Sequence, residues 1–322
     1  MDAGGRERTP AAVAAAFDVV IGLFLVGAIL LARRNMRLAR GDRRGAFRLG
    51  LYVFSTFLVV ETFRAGDLRL LLGLLPRATA VGVVFWLTYL ALEPHVRRVW
   101  PETMLGWSRL IAGSLHDPLV GRDLLVGAVA GIVVTLLYSL GQLAPAWLGL
   151  PPPLPPTQVQ FFSEWLLGGR HAICQVIGPS WGNAVFLALE YLLVLFFLYV
   201  VLRRRGIAAA AMILLLTALR IAFMPSSTGS LIVVLVFGGL IATGSVFLLV
   251  RFGMLAMIAA GFVANLTGFI PITFDSAVPY AGSSYLILGT ILVLAAYGFH
   301  TALAGRPIFG AGFLKDEPAK PT

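Results

Sequence analysis

Apolar residues run along this chain in long blocks, separated by short polar clusters rich in arginine. A helix that crosses a bilayer needs about 20 apolar residues at 1.5 Å of rise each. Nine stretches meet or approach that length, roughly 12–32, 46–63, 77–93, 123–142, 181–202, 206–223, 229–250, 252–270 and 283–300. The pattern therefore predicts an all-α polytopic membrane bundle of about nine transmembrane helices, with residues 1–322 as one membrane domain. Leu92-Glu93-Pro94 is expected to end the third helix, because proline disfavours helix at the residue before it. Gly127 and Gly131, and Gly239 with Thr243, are spaced to let helix backbones approach closely.

Composition sharpens this picture. Hydrophobic residues make up 59% of 322 positions and charged residues 12%, about half the share of a soluble domain. Mean hydropathy is +0.90, so lipid is the main solvent. The formal net charge is +10, but the arginines flank apolar blocks, which makes them an orientation signal rather than a nucleic-acid surface. Alternate connectors hold eighteen Lys and Arg on one side and six on the other, with Arg220 inside a helix. The expectation is a multi-pass protein of the cell inner membrane, N-terminus outside and C-terminus cytoplasmic. The first apolar block is followed by arginines and not by a small-residue cleavage site, as in a retained helix. The single cysteine, Cys174, excludes an internal disulfide and a multi-cysteine metal site.

Two connectors stand out. Residues 142–180 form an external loop whose LGLPPPLPP is stiff and extended. TQVQFFSEWLLGGRHAI follows, with Phe161, Phe162, Trp165 and Leu166 as the apolar face of an interfacial helix or, alternatively, of a re-entrant segment. Residues 93–123 form the longest cytoplasmic interruption. There Glu93, Arg97, Arg98, Trp107, Arg109, Asp117, Arg122 and Asp123 are candidate docking residues for a cytoplasmic partner, or the charges of a solvated amphipathic connector. Asp117-Pro118 is expected to make a turn, and Asp123 to be a first-turn carboxylate of the next helix.

Ionisable groups inside the bilayer are costly unless paired or neutralised. Glu190 lies about 13 Å deep by residue count. With Asp18, Arg220, Glu61 and the amide Asn265 it completes the intramembrane polar set. Arg220 is within reach of Asp18 or Glu61. These groups are read either as an internal ion pair plus a protonated Glu190, or as a proton or cation path.

Catalytic signals are sparse. Gly178-Pro-Ser-Trp-Gly182 has the spacing of a nucleophile elbow, but no strand precedes it, and Ser180 reads as a helix N-cap. His95, His116, Asp117 and Asp123 are ligand types at spacings that match no metal motif. No NTPase, protease or kinase signature occurs. The residues call for no metal and no cofactor.

The runs ARRNMRLARGDRRGA (32–46), YLALEPHVRRVWP (89–101), GWSRLIAGSLHDPLVGRDLLVG (106–127) and YGFHTALAGRPIFG (297–310) resemble the C-terminal multi-helix membrane region of certain bacterial, acidobacterial-type serine/threonine protein kinases. The kinase domain of such proteins is a separate N-terminal module, so no catalytic residue carries over. The chain opens on a Met shortly before its first helix, as in a stand-alone relative or a detached membrane half. An N-terminus outside would require one more helix upstream of a cytoplasmic kinase. The resemblance implies a non-catalytic module that anchors or regulates a signalling kinase, with the outer proline-rich loop as the candidate element for sensing an external or membrane cue; the lipid bilayer and a second copy of the chain are the other expected partners. A small-solute or proton-coupled transporter is the alternative, and an intramembrane hydrolase using Ser180 a third.

Overall fold

The computed structural model describes residues 22, 26–38, 41–65, 69, 71–149, 169–222, 228–269 and 272–304. Among them all regular structure is helical. The elements are α1 (26–37), α2 (Arg43–Ala65), α3 (Leu71–Val99), α4 (Leu105–Ala112), α5 (Pro118–Trp147), α6 (Gly169–Ile177), α7 (Pro179–Leu202) and α8 (Arg205–Ala222). After these come α9 (Thr228–Val233), a π-helical turn (Val234–Gly238), α10 (Gly239–Arg251), α11 (Met254–Phe269) and α12 (Ala281–Leu303).

Six helical stretches among the described residues are long and apolar enough to cross a membrane: Arg43–Phe63, Leu71–Val99, Pro118–Trp147, Ala172–Leu202, Leu231–Arg251 and Ala281–Leu303. The molecule is thus a multi-pass helical membrane protein. The expected nine are not all found among the described residues. Met254–Gly268 is apolar but shorter, α8 has 18 residues, and most of the first expected span lies outside the described residues.

The short helix α11 is the centre of the bundle, packed between α5 and α7. Met254 through Ala260, Phe262, Val263 and Leu266 are all buried, as expected of a helix that is apolar on every side. Small residues permit this. A Cβ on Gly127 would overlap Ala256 O and Ala259 Cβ, and one on Gly131 would stand 2.6 Å from Ala260 O. Higher along the same contact Thr135 and Thr267 share a hydrogen bond of 2.6 Å, and Trp181 of α7 stacks on Phe262 at 3.9 Å. The pair Gly239 and Thr243 does not work this way. The nearest atom to a Cβ on Gly239 is Thr217 Oγ1 at 4.0 Å, and Thr243 Oγ1 donates back to Gly239 O within its own helix.

Several element ends depart from the sequence pattern. α3 does not stop at Glu93 but continues through Pro94 to Val99. Proline removes the amide hydrogen that Leu90 O would accept. Asn35 on α1 supplies a replacement, its Nδ2 donating to Leu90 O at 3.0 Å and to Ala91 O at 3.2 Å. A neighbouring helix thus satisfies the carbonyl that the proline frees. The arginine-rich segment 33–48 is mostly helix, and only residues 38–42 separate α1 from α2. α5 begins at Pro118, with Asp117 as its N-cap and Asp117 Oδ1 accepting from Leu119 N at 2.9 Å. Asp117-Pro118 is therefore a helix start, and Asp123 sits in the second turn rather than the first. α7 is capped at Gly178, not Ser180. Gly178 N donates to Cys174 O at 3.1 Å, which joins α6 to α7. α6 takes in 169–173 of the expected interfacial helix. It packs against α2 and α12 with Ala172 and Cys174 buried, whereas residues 151–168 lie outside the described set.

Candidate functional site

One end of the bundle gathers the arginine-rich turns, and the 93–123 connector crosses it. After α3 the chain makes a 3-10 turn (Pro101–Met104), then α4, which closes on Gly113 in the left-handed region at φ 95°. Trp100, Thr103, Met104 and Trp107 are buried, so the connector is set into the helix ends and does not lie loose over them. Arg205 at the start of α8 donates to Val99 O at 2.7 Å. Tyr199 of α7 meets Trp100 edge-on at 5.1 Å. Gly253, between α10 and α11, lies beneath Thr103 O, and its φ of +96° and lack of a Cβ allow that approach. Arg48 of α2 donates to Ile111 O at 2.7 Å and Tyr297 of α12 to Leu115 O at 2.6 Å. The connector is thereby fastened to α2, α7, α8, α12 and the α10–α11 turn.

The candidate docking residues divide into two sets. Glu93, Trp107 and Asp123 are interior, at 3%, 6% and 2% exposure. Glu93 accepts the Asp42 N–H at 3.0 Å and pairs with Arg97 at 2.8 Å. Arg97 also donates to Ser108 Oγ at 3.1 Å. Asp123 pairs with Arg122 at 2.8 Å. These carboxylates are internal fastenings whose partners reach outward. Arg97, Arg98 and Arg122 are exposed, and Arg109 is partly so. Arg109 pairs with Asp117, and its guanidinium, helped by the Leu119 N–H, holds the Asp117 carboxyl below the ordinary carboxylate range. Residues 112–116 are exposed throughout and form a tip beyond this pair, with Leu115 46% exposed and His116 beside it.

Among the described residues the intramembrane groups are distributed over α2, α7, α8 and α11. Glu190 is on the outward side of α7, exposed and without an ion pair among the described residues. Arg220 is half-buried, its Cδ 3.2 Å from where a Gly238 Cβ would stand, against the π-helical turn. Asp18 lies outside the described residues, and Glu61 is half-buried near the far end of α2. Asn265 donates to Ser180 O at 3.2 Å and ties α11 to α7. Ser180 is buried, with Gln175 Oε1 at 3.4 Å from its hydroxyl. Gln175 is an amide and cannot serve as the base of a nucleophilic serine, and the side chain of His171 is outside the described residues. Among the described residues no three His, Cys, Asp or Glu side chains gather as metal ligands. His95 Nδ1 stands 3.0 Å from Ala91 O, beside the proline-broken turn.

Sequence reasoning missed Asn35, which looks like one more polar residue in an arginine run. Its signal is helical spacing: Ala28, Ala32 and Asn35 share one buried stripe. It also missed Tyr89, fully buried, whose hydroxyl lies beside the indole N–H of the equally buried Trp107.

No family model matches the chain, nor does any curated protein or any solved structure.

Proposed function

We propose that this chain is a non-catalytic membrane module of the inner membrane that docks a signalling protein on its cytoplasmic face. In this reading the arginine-rich end faces the cytoplasm, the N-terminus is outside and the partner is a serine/threonine kinase or its relative, as the four sequence runs suggest. The supporting observation is the fastening of the 93–123 connector to five parts of the bundle. A segment held this firmly loses little conformational freedom on binding, so more of the contact energy goes to affinity. The surface on offer is the tip 112–116, flanked by Arg109, Asp117 and Arg122. It is polar at its rim, with Leu115 as an apolar anchor, the arrangement of a small protein interface. The transporter alternative lacks comparable support, because Glu190 faces away from the bundle and lines no interior route among the described residues.

Crosslinking pull-down of the tagged protein from native membranes, read by mass spectrometry, tests this. A Leu115→Asp/His116→Asp variant alters the tip and leaves the fastening side chains in place. Recovery of a kinase-type protein with wild type and its loss with the variant is the expected result. Equal recovery with both, or recovery of no signalling protein with either, sinks the docking reading.

A further inference from the structure

A second corner of the arginine-rich end, away from the tip, concentrates positive charge with little to answer it. α3 ends in Arg97 and Arg98, and the turn from α7 to α8 is Arg203-Arg204-Arg205. The two stretches are pinned together, since Arg205 donates to Val99 O at 2.7 Å and lies 6.0 Å from the centre of the Trp100 ring. All five arginines are exposed. The nearby carboxylate Glu93 is buried and committed to Arg97 and the Asp42 N–H. Glu102, exposed in the adjoining 3-10 turn, makes no ion pair among the described residues. Arg98, Arg203 and Arg204 likewise have no ion-pair partner among the described residues. α8 starts at this corner with no acidic residue in its first turn, so the positive end of its dipole adds to the same field.

Immediately next to these charges the surface is oil. Phe197, Val200 and Val201 of α7 and Ile207 of α8 are 64%, 53%, 61% and 47% exposed. Trp100 and Tyr199 meet where charge gives way to apolar surface, the depth that aromatic side chains favour at a membrane boundary. A soluble acidic partner would satisfy the guanidiniums and make no use of the apolar surface beside them. A molecule with a phosphodiester at one end and acyl chains at the other covers both.

We propose that the corner formed by Arg98, Arg203 and Arg204, with Phe197, Val200 and Val201 below, is a binding site for an anionic phospholipid. The guanidiniums hold the phosphodiester, a geometry arginine suits, and the acyl chains lie along α7. Each basic residue near an anionic headgroup strengthens such binding by about fivefold. The site is independent of the docking tip.

Native mass spectrometry of the purified full chain tests the site, titrated separately with phosphatidylglycerol, phosphatidylcholine and glycerol phosphate. Wild type should hold phosphatidylglycerol about a hundredfold more tightly than phosphatidylcholine, and Arg98→Ala/Arg204→Ala should weaken that preference about 25-fold. Arg33→Ala/Arg34→Ala, an exposed pair outside this corner, should keep it, and Arg98→Lys/Arg204→Lys, which keeps the charge without the planar fork, should fall between wild type and the alanine variant. No preference for the anionic lipid in wild type overturns the proposal, and so does an equal loss in the Arg33/Arg34 variant, which would make the effect one of general charge. If glycerol phosphate displaces phosphatidylglycerol at similar concentration, the acyl chains contribute nothing and the site binds free phosphate esters instead.

Discussion

Pro94 leaves Leu90 O without a helical donor, and Asn35 supplies one from another helix. The amide is 3% exposed and also reaches Ala91 O, so it binds α1 to the weak turn of α3. Removing it strands a buried carbonyl. Asn35→Ala should therefore destabilise the protein by about 1–2 kcal/mol, more than an average interhelical bond in a membrane because the proline has already removed the helical donor to Leu90 O. The effect should depend on the proline. Pro94→Ala restores an amide hydrogen within α3 and removes the need for the side chain, so Asn35→Ala should cost little in that background. Thermal or SDS unfolding of the two single variants and the double variant measures the coupling. Equal costs of Asn35→Ala in both backgrounds would show that Asn35 acts through something other than the freed carbonyl.

Helices, at the next scale, were legible where the apolar block was long and poorly legible where one residue type has two meanings. Spacing alone gave Gly127–Gly131 and Gly239–Thr243 the same standing, and only packing separates them. Gly131→Val should press its Cβ into Ala260 O and Val263 Cβ, which stand 2.6 and 2.7 Å from the position it would take. Because α11 is enclosed on all sides, little can yield, and the cost should be at least about 1–3 kcal/mol. Gly239→Ala meets nothing closer than 4.0 Å and replaces a flexible residue in a helix, so it should be neutral or stabilising by up to about 1 kcal/mol. Unfolding of the two variants side by side checks this, and similar losses in both would remove the distinction. The same ambiguity explains the misplaced helix ends. Pro94 reads as a terminator until a donor from α1 is known, and Asp117-Pro118 reads as a turn although an acidic N-cap followed by proline at N1 is equally a helix start. Local sequence carries the tendency to form a helix, but the partner that rescues a broken turn is distant in the chain and leaves no mark beside the proline.

For the whole molecule, the membrane class was plain from composition, and the candidate docking segment was found by its charge. Its construction was not legible. Glu93, Trp107 and Asp123 looked like surface residues because they sit among arginines, yet they are interior, their charges answered by Arg97 and Arg122. An amphipathic connector and an inset one have the same composition, and they differ in whether glycines such as Gly253 let the backbones close together. The proposed orientation of this end rests on the distribution of charge. Arginines resist translocation, and eighteen Lys and Arg against six favour placing this end in the cytoplasm. Ser114 at the connector tip and Ser276 in the loop before α12 are both exposed, at opposite ends of the bundle, and cysteine replaces serine with little change of shape. Cys174 is the only native cysteine and is buried, so a Cys174→Ala background leaves one thiol in each variant. A membrane-impermeant maleimide added to intact cells should label Ser276→Cys and should label Ser114→Cys only after permeabilisation. The reverse pattern would turn the molecule over. The 112–116 tip and the five-arginine corner would then face outward, and neither a cytoplasmic kinase nor the lipids of the inner leaflet could reach them.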